Sequence, residues 1–240
     1  MPSQPLSVKG IILETVPYKD KDRMVSFLTR DKGIIKFCAK GVAKVGSRNA
    51  FAGVPFSVCD VTLSESHGFY YLKEGTIIES NSGIMDSIEA IAVGTHFAEC
   101  LMDSVFQSED SSNAYKLAVY AFYALSKGGS DFIKIYGTFN WKLLSLMGFT
   151  ITYGEGGDRL LSLREGSTAE YNGVIPDGYM KMSGKAIKLL DLISESPVEN
   201  VFTIRSTPEI YEELRIFTTG YLSYQFDKYM EDPVKKLGLP

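Results

Sequence analysis

The chain has 240 residues, 45% of them hydrophobic, and a formal net charge of −4, which gives it enough apolar material for one large core or two small ones. No run of about 18 apolar residues is present, and Met1-Pro2-Ser3-Gln4-Pro5 lacks the basic and apolar regions of a leader, so a soluble, cytoplasmic protein is expected, with no membrane partner. Three widely spaced cysteines, Cys38, Cys59 and Cys100, exclude a disulfide framework and a C-x-x-C zinc knuckle; buried, reduced thiols are the default.

Residues 8–15, 24–29, 34–40, 56–63 and 69–79 are rich in β-branched and aromatic side chains, and Gly or Pro clusters bound most of them. Arg30-Asp31-Lys32-Gly33 is a short connection of the kind that closes a hairpin. Five strands within about 75 residues suggest a small closed barrel, and the OB-fold is the commonest five-stranded one.

From Ser82 the period becomes helical. Ile84, Ile88, Ile91, Ala98, Met102 and Val105 mark one face of an acidic helix or helix pair, and no Lys or Arg occurs from Ser80 through Tyr115. A second helix runs from Ser111/Ser112 to about Ser126 and ends at Gly128-Gly129-Ser130. Asp131 caps a third, over 132–147, whose stripe is Ile135, Phe139, Leu143 and Leu146/Met147. Residues 148–178 lose the period and carry Gly154, Gly156, Gly157, Gly166 and Gly173, which predicts a loop or small irregular hairpin. Ser183 then opens a helix with Ile187, Leu190 and Ile193 on one face. Thr207-Pro208 begins the last, lined by Leu214, Phe217, Tyr221 and Tyr224.

These elements predict an α+β, multidomain chain. Residues 1–80 form a five-stranded OB-fold β-barrel, and residues 81–240 an all-helical domain interrupted by the insertion at 148–178. Charge changes sign at the same boundary: residues 1–80 carry +3 and residues 81–240 carry −7, and the window 19–48 alone carries +6.

Catalytic constellations are scarce. His67 and His96 are the only histidines, so most acid–base and nucleophilic arrangements lack their central member. His96, Glu99 and Cys100 share one helical face, but no second cluster completes a tetrahedral metal site. Gly178 through Lys185-Ala186 resembles a phosphate-binding loop, yet its first glycine is one residue too far away and Ala186 replaces the magnesium-binding hydroxyl. Gly154-Glu155-Gly156-Gly157 lacks the dinucleotide-binding register. A hydrolase built on a carboxylate pair stays open without positive support. The expectation is a protein that is not an enzyme, with no cofactor, metal or small-molecule substrate.

The positive signal is the cation series Lys19, Lys21, Arg23, Arg30, Lys32, Lys36, Lys40, Lys44 and Arg48. Strand alternation puts Lys36 and Lys40 on one face, opposite Ile35, Phe37 and Ala39, and Lys44 and Arg48 continue the track through a glycine-bounded loop. Such a track suits a phosphodiester backbone. Tyr18, Phe51, Phe69, Tyr70 and Tyr71 are available to stack bases. The alternative is that the lysines only solubilise the barrel and the aromatics fill it.

The segments Val8-Lys9-Gly10-Ile11-Ile12-Leu13, Tyr18-Lys19-Asp20-Lys21-Asp22-Arg23-Met24-Val25 and Phe27-Leu28-Thr29-Arg30-Asp31-Lys32-Gly33 resemble the bacterial DNA-repair RecO family. So do Ala39-Lys40-Gly41-Val42-Ala43-Lys44 with Ser47-Arg48, Leu144-Ser145-Leu146-Met147-Gly148-Phe149, and the stretch 215–229. The resemblance spans nearly the whole chain.

It implies an OB-fold that binds single- and double-stranded DNA, a helical C-terminal domain, annealing of complementary strands and, with RecR, loading of RecA onto DNA covered by single-strand-binding protein, at the nucleoid during repair. The family's DNA-contacting cations carry over onto Lys36, Lys40, Lys44 and Arg48, with Arg23, Arg30 and Lys32 beside them. The acidic tail of single-strand-binding protein would meet the helical domain, where Lys134, Lys142 or Arg215 could supply a cation. Many family members bind zinc through two C-x-x-C pairs after the Leu-Gly-aromatic stretch; residues 148–178 here contain no cysteine, so the insertion stands in place of a zinc finger. A second reading is an adaptor that binds repair proteins and touches DNA weakly or indirectly.

Overall fold

A computed structural model describes residues 4–105, 111–128, 131–151 and 157–238; Gly129, Ser130, Gly154, Glu155 and Gly156, named above, lie outside them. The alternating segments form strands β1 (Leu6–Tyr18), β2 (Asp22–Thr29), β3 (Ile34–Ala39), β4 (Val58–Ser66) and β5 (Phe69–Glu79). They close into a barrel of order β1-β2-β3-β5-β4, in which β3 and β5 are parallel and the other neighbours antiparallel.

The first strand serves two neighbours. Its first half pairs with β4 and its second with β2, and a register shift between Ile12 and Glu14 turns it from one to the other. Gly10 lies where the barrel is tightest: a Cβ there would fall 2.4 Å from the Leu28 carbonyl oxygen and 2.5 Å from the Phe27 ring. The interior holds Ile12, Phe27, Phe37, Val61 and Leu63, all essentially inaccessible, and each such side chain stabilises the fold by roughly 1.5–3 kcal/mol.

A 3-10 turn (Ser82–Asp86), α1 (Ile88–Ser104) and α2 (Ser112–Ser126) follow, and the first compact unit extends to Gly128. A second cluster unites these helices with the barrel. Phe56 stacks on Phe122 at 4.9 Å between ring centroids, and Phe97 meets Phe122 at 6.3 Å. Ser87 caps α1 by accepting from the Ala90 N–H at 3.2 Å. The buried face of α1 is Val93, Phe97, Cys100 and Leu101, whereas Ile88 is 72% exposed. Of the predicted stripe, Ile84 and Ala98 are buried while Ile88 and Ile91 are exposed, because the helix packs through its Phe97 face.

The second unit, from Gly129, contains α3 (Phe132–Leu146), β6 (Arg159–Ser162), β7 (Thr168–Glu170), β8 (Tyr179–Met182), α4 (Gly184–Glu195), α5 (Pro208–Gln225) and the short α6 (Pro233–Lys236). Phe217 stacks on Tyr221 at 5.3 Å, with Trp141 6.1 Å from Phe217; the indole N–H donates to the Leu190 carbonyl at 2.7 Å. Within the glycine-rich region predicted as a loop or irregular hairpin, β6 and β7 pair as an antiparallel hairpin, and β8 just beyond it completes a three-stranded sheet of order β7-β6-β8. Buried Leu160, Leu161 and Met182 anchor it. Ser183 accepts from the Ala186 N–H at 3.2 Å, so the phosphate-loop-like stretch is a capped helix start. No helix among the described residues is long and apolar enough to cross a membrane.

Candidate nucleic-acid interface

Alternation along β3 sends Ile35, Phe37 and Ala39 into the barrel and leaves Lys36 and Lys40 exposed. Across the parallel β3–β5 seam Phe37 faces Tyr70 and Cys38 faces Tyr71. The outward neighbours of the two lysines are therefore Phe69 and Tyr71, since residues two apart share a face. The Lys40 ammonium lies 5.0 Å from the centre of the Tyr71 ring, and Phe69 is 64% exposed. Tyr70 and Phe51, also named as possible stacking residues, pack against the barrel core. Tyr18 is 43% exposed, with the Lys19 ammonium over its ring.

The loop after β3 is tied down by its backbone. Gly41 N–H donates to an Asp22 carboxylate oxygen at 2.8 Å, Ala43 N–H to the Lys21 carbonyl at 3.1 Å, and the Asn49 amide to the Lys40 carbonyl at 3.1 Å. Lys44 and Arg48 project from this loop, exposed. Arg23 is half-buried and donates to the Asp22 carbonyl at 3.3 Å.

Arg30 and Lys32 occupy the β2–β3 turn at the other end of β3, roughly 20 Å from Lys40 at 3.3 Å per residue. That turn is fixed by Ser111, buried at the start of α2. Its hydroxyl accepts from Gly33 N–H at 3.2 Å and lies 2.6 Å from the Thr29 carbonyl oxygen, to which it donates. Gly33 adopts φ of 61°, which glycine tolerates. Arg30 meets Asp31 at 3.6 Å with both side chains well exposed, a pairing that costs little to break. The cations thus form a line along β3 and its two flanking turns, not a single cluster.

In the second unit the three partner-binding candidates separate. Lys142 is 4% exposed, and its ammonium donates to the carbonyls of Ile193, Ser194 and Ser196 at 3.1, 2.8 and 2.8 Å. It closes the C-terminal end of α4, whose last carbonyls have no partner within the helix. Burial pushes its pKa down, while the three acceptors favour the charged form. Arg215, 7% exposed, donates to Glu212 at 2.7 Å and pairs with Asp232. Both charges are engaged by groups inside the unit.

Lys142→Met is expected to leave those carbonyls unpaired and to cost about 2–3 kcal/mol. Urea denaturation should show a lower midpoint with an unchanged slope.

Lys134 remains open. Its ammonium stands 5.9 Å from the Tyr211 ring centre, in a pocket of about 570 Å³ lined also by Asp131, Ile133, Arg205 and Pro208. Arg205, which sequence reasoning missed, could have been found from its place just before the proline-marked start of α5.

His96 and Cys100 lie together in the interior, with the sulfur 3.4 Å from His96 Nε2, while Glu99 is exposed. Among the described residues no group of three His, Cys, Asp or Glu side chains could hold a metal ion. All three cysteines are buried and outside any disulfide, and burial pushes the Cys59 thiol up to about 12.

A closed five-stranded barrel followed by helices defines an OB-type barrel protein with a helical C-terminal region. The chain belongs to the recombination protein O family: residues 4–81 match the family's N-terminal model and residues 85–232 its C-terminal model. Membership of that family places the chain in DNA repair and recombination. Similar proteins include the DNA repair protein RecO of Clostridium novyi (strain NT), 26% identical over 227 residues that cover 92% of this chain and 89% of the relative. That of Acetivibrio thermocellus is 22% identical, covering 93% and 92%, and that of Bacillus pumilus (strain SAFR-032) is 24% identical, covering 92% and 88%.

Proposed function

We propose that the protein binds single- and double-stranded DNA on the outer face of its barrel and anneals complementary strands without covalent chemistry. The reading rests chiefly on exposed Lys36 and Lys40 set beside outward Phe69 and Tyr71 at the β3–β5 seam. Cations there neutralise the backbone while aromatic faces receive bases. Lys44, Arg48, Arg23, Arg30 and Lys32 extend the track.

Together with RecR, the protein helps RecA displace single-strand-binding protein, acting in the cytoplasm at the nucleoid. The pocket beside Lys134 and Arg205 supports an encounter with the acidic, apolar tail of single-strand-binding protein: its two cations outnumber the one carboxylate, Asp131, and stand next to Ile133, Pro208 and the Tyr211 ring. That pocket also favours the second reading, an adaptor that meets repair proteins and leaves DNA to them.

The two readings separate in one titration. Anisotropy of a labelled single-stranded oligonucleotide is expected to report binding that weakens steeply with salt, with a slope of log affinity on log salt near −3 if about four phosphates are neutralised. The protein should also speed pairing of two complementary oligonucleotides. Absence of binding at low salt would leave only the adaptor.

A further inference from the structure

Against the outer face of β2 and β3 the first unit carries a pocket of about 480 Å³, lined by Met24, Ile34, Lys36, Phe69, Tyr70, Met102 and Val105 with the Gly68 turn at its edge. Met102 comes from the last turns of α1 and Val105 caps that helix, so one wall is helical and the other is barrel. Phe69 is the first residue of β5 and follows a two-residue turn in which His67 and Gly68 both have positive φ, 51° and 78°. This turn type fixes strand register, so the ring is held in place although it is 64% exposed.

We propose that this pocket receives one unpaired nucleobase of a bound single strand and so distinguishes single-stranded from duplex DNA. The inference rests on the barrel-face reading above and adds to it a specific subsite. The chemistry of the lining selects the occupant. Two aromatic rings, two thioethers and two aliphatic side chains form largely apolar walls, and Lys36 is the one charged group among these lining residues. A flat apolar body joined to an anion matches that arrangement, and a nucleobase with its phosphate has both parts. Bases in a duplex are stacked and paired, and a duplex must pay unstacking energy to extrude one. The phosphate track therefore serves both DNA forms, and the pocket serves one.

Two variants test this separately from the track. Met102→Trp fills the pocket from the helix side and Met24→Trp fills it from the barrel side, and neither residue belongs to the barrel-face track. Each is expected to lower affinity for a single-stranded oligonucleotide about tenfold, to leave duplex affinity within about twofold, and to keep the salt slope, since no cation is lost. A 2-aminopurine placed in the single strand should lose fluorescence on binding the wild type and recover it in the variants. If the wild type binds single strands and both variants match it, the pocket is overturned while the barrel-face reading stands. If the wild type binds neither DNA form, both fall.

Discussion

Replacing Lys36, Lys40 and Lys44 together with glutamate is expected to lower affinity for single-stranded DNA by roughly two orders of magnitude at low salt and to flatten the salt slope by about two. Each lost phosphate contact on a single strand removes about 0.7 from that slope, so the change in slope counts contacts independently of the affinity itself. All three side chains are exposed, and the contact of Lys40 with the Tyr71 ring lies on the surface, so the variant should fold and melt nearly like the wild type. Annealing should disappear with binding. A folded triple variant with intact annealing would remove the β3 track from the mechanism and shift attention to Arg30 and Lys32 at its other end.

The largest stability effect is expected at Arg215. Its guanidinium is 7% exposed and sits between Glu212 and Asp232. Arg215→Met deprives Asp232, itself nearly buried, of its counter-charge, which typically costs about 3–5 kcal/mol. Asp232 also caps α6 by accepting from the N–H groups of Val234 and Lys235 at 3.0 and 3.1 Å. Asparagine caps about as well, so Arg215→Met with Asp232→Asn should recover part of the loss in a thermal melt. The pH dependence has a definite sign. Hydrogen bonding to Arg215 holds the Glu212 carboxyl below its ordinary value. Its stabilising contribution is present above the ordinary value of about 4.3 and is lost as pH falls through the lowered one. In Arg215→Met this acid-side loss should vanish, even though the variant is less stable throughout.

Local physics made most of the architecture readable beforehand. The five strands fall where β-branched and aromatic residues alternate, and α2, α3, α4 and α5 begin at Ser112, Phe132, Gly184 and Pro208, beside the capping residues or the proline that mark helix starts. The face of β3 followed from a period of two, so Lys36 and Lys40 were legible as surface cations.

What was not legible depended on contacts distant in sequence. The sheet at β6–β8 has strands of three or four residues, too short to show alternation. Lys142 reads as a surface cation until the surroundings are known, yet it lies in a stretch, Tyr136 to Leu144, in which every residue is buried. A helix buried on all sides keeps its lysine among internal acceptors, and the large apolar residues Phe139, Trp141, Leu143 and Leu144 around it were the available signal. The two aromatics that turned inward, Tyr70 and Phe51, carry no mark in the sequence that separates them from Phe69.

The Phe56–Phe122 stack also bears on how the chain can change over evolutionary time. The two recognisable segments of the family meet between residues 81 and 85, but the first compact body continues to Gly128. The seam of inheritance and the seam of folding are therefore about forty-five residues apart. A recombination event that exchanged the C-terminal segment of one relative for that of another would import a foreign α1 and α2 onto the native barrel. Drift at Phe122 must accordingly be answered at Phe56, which ties the two segments into a single lineage.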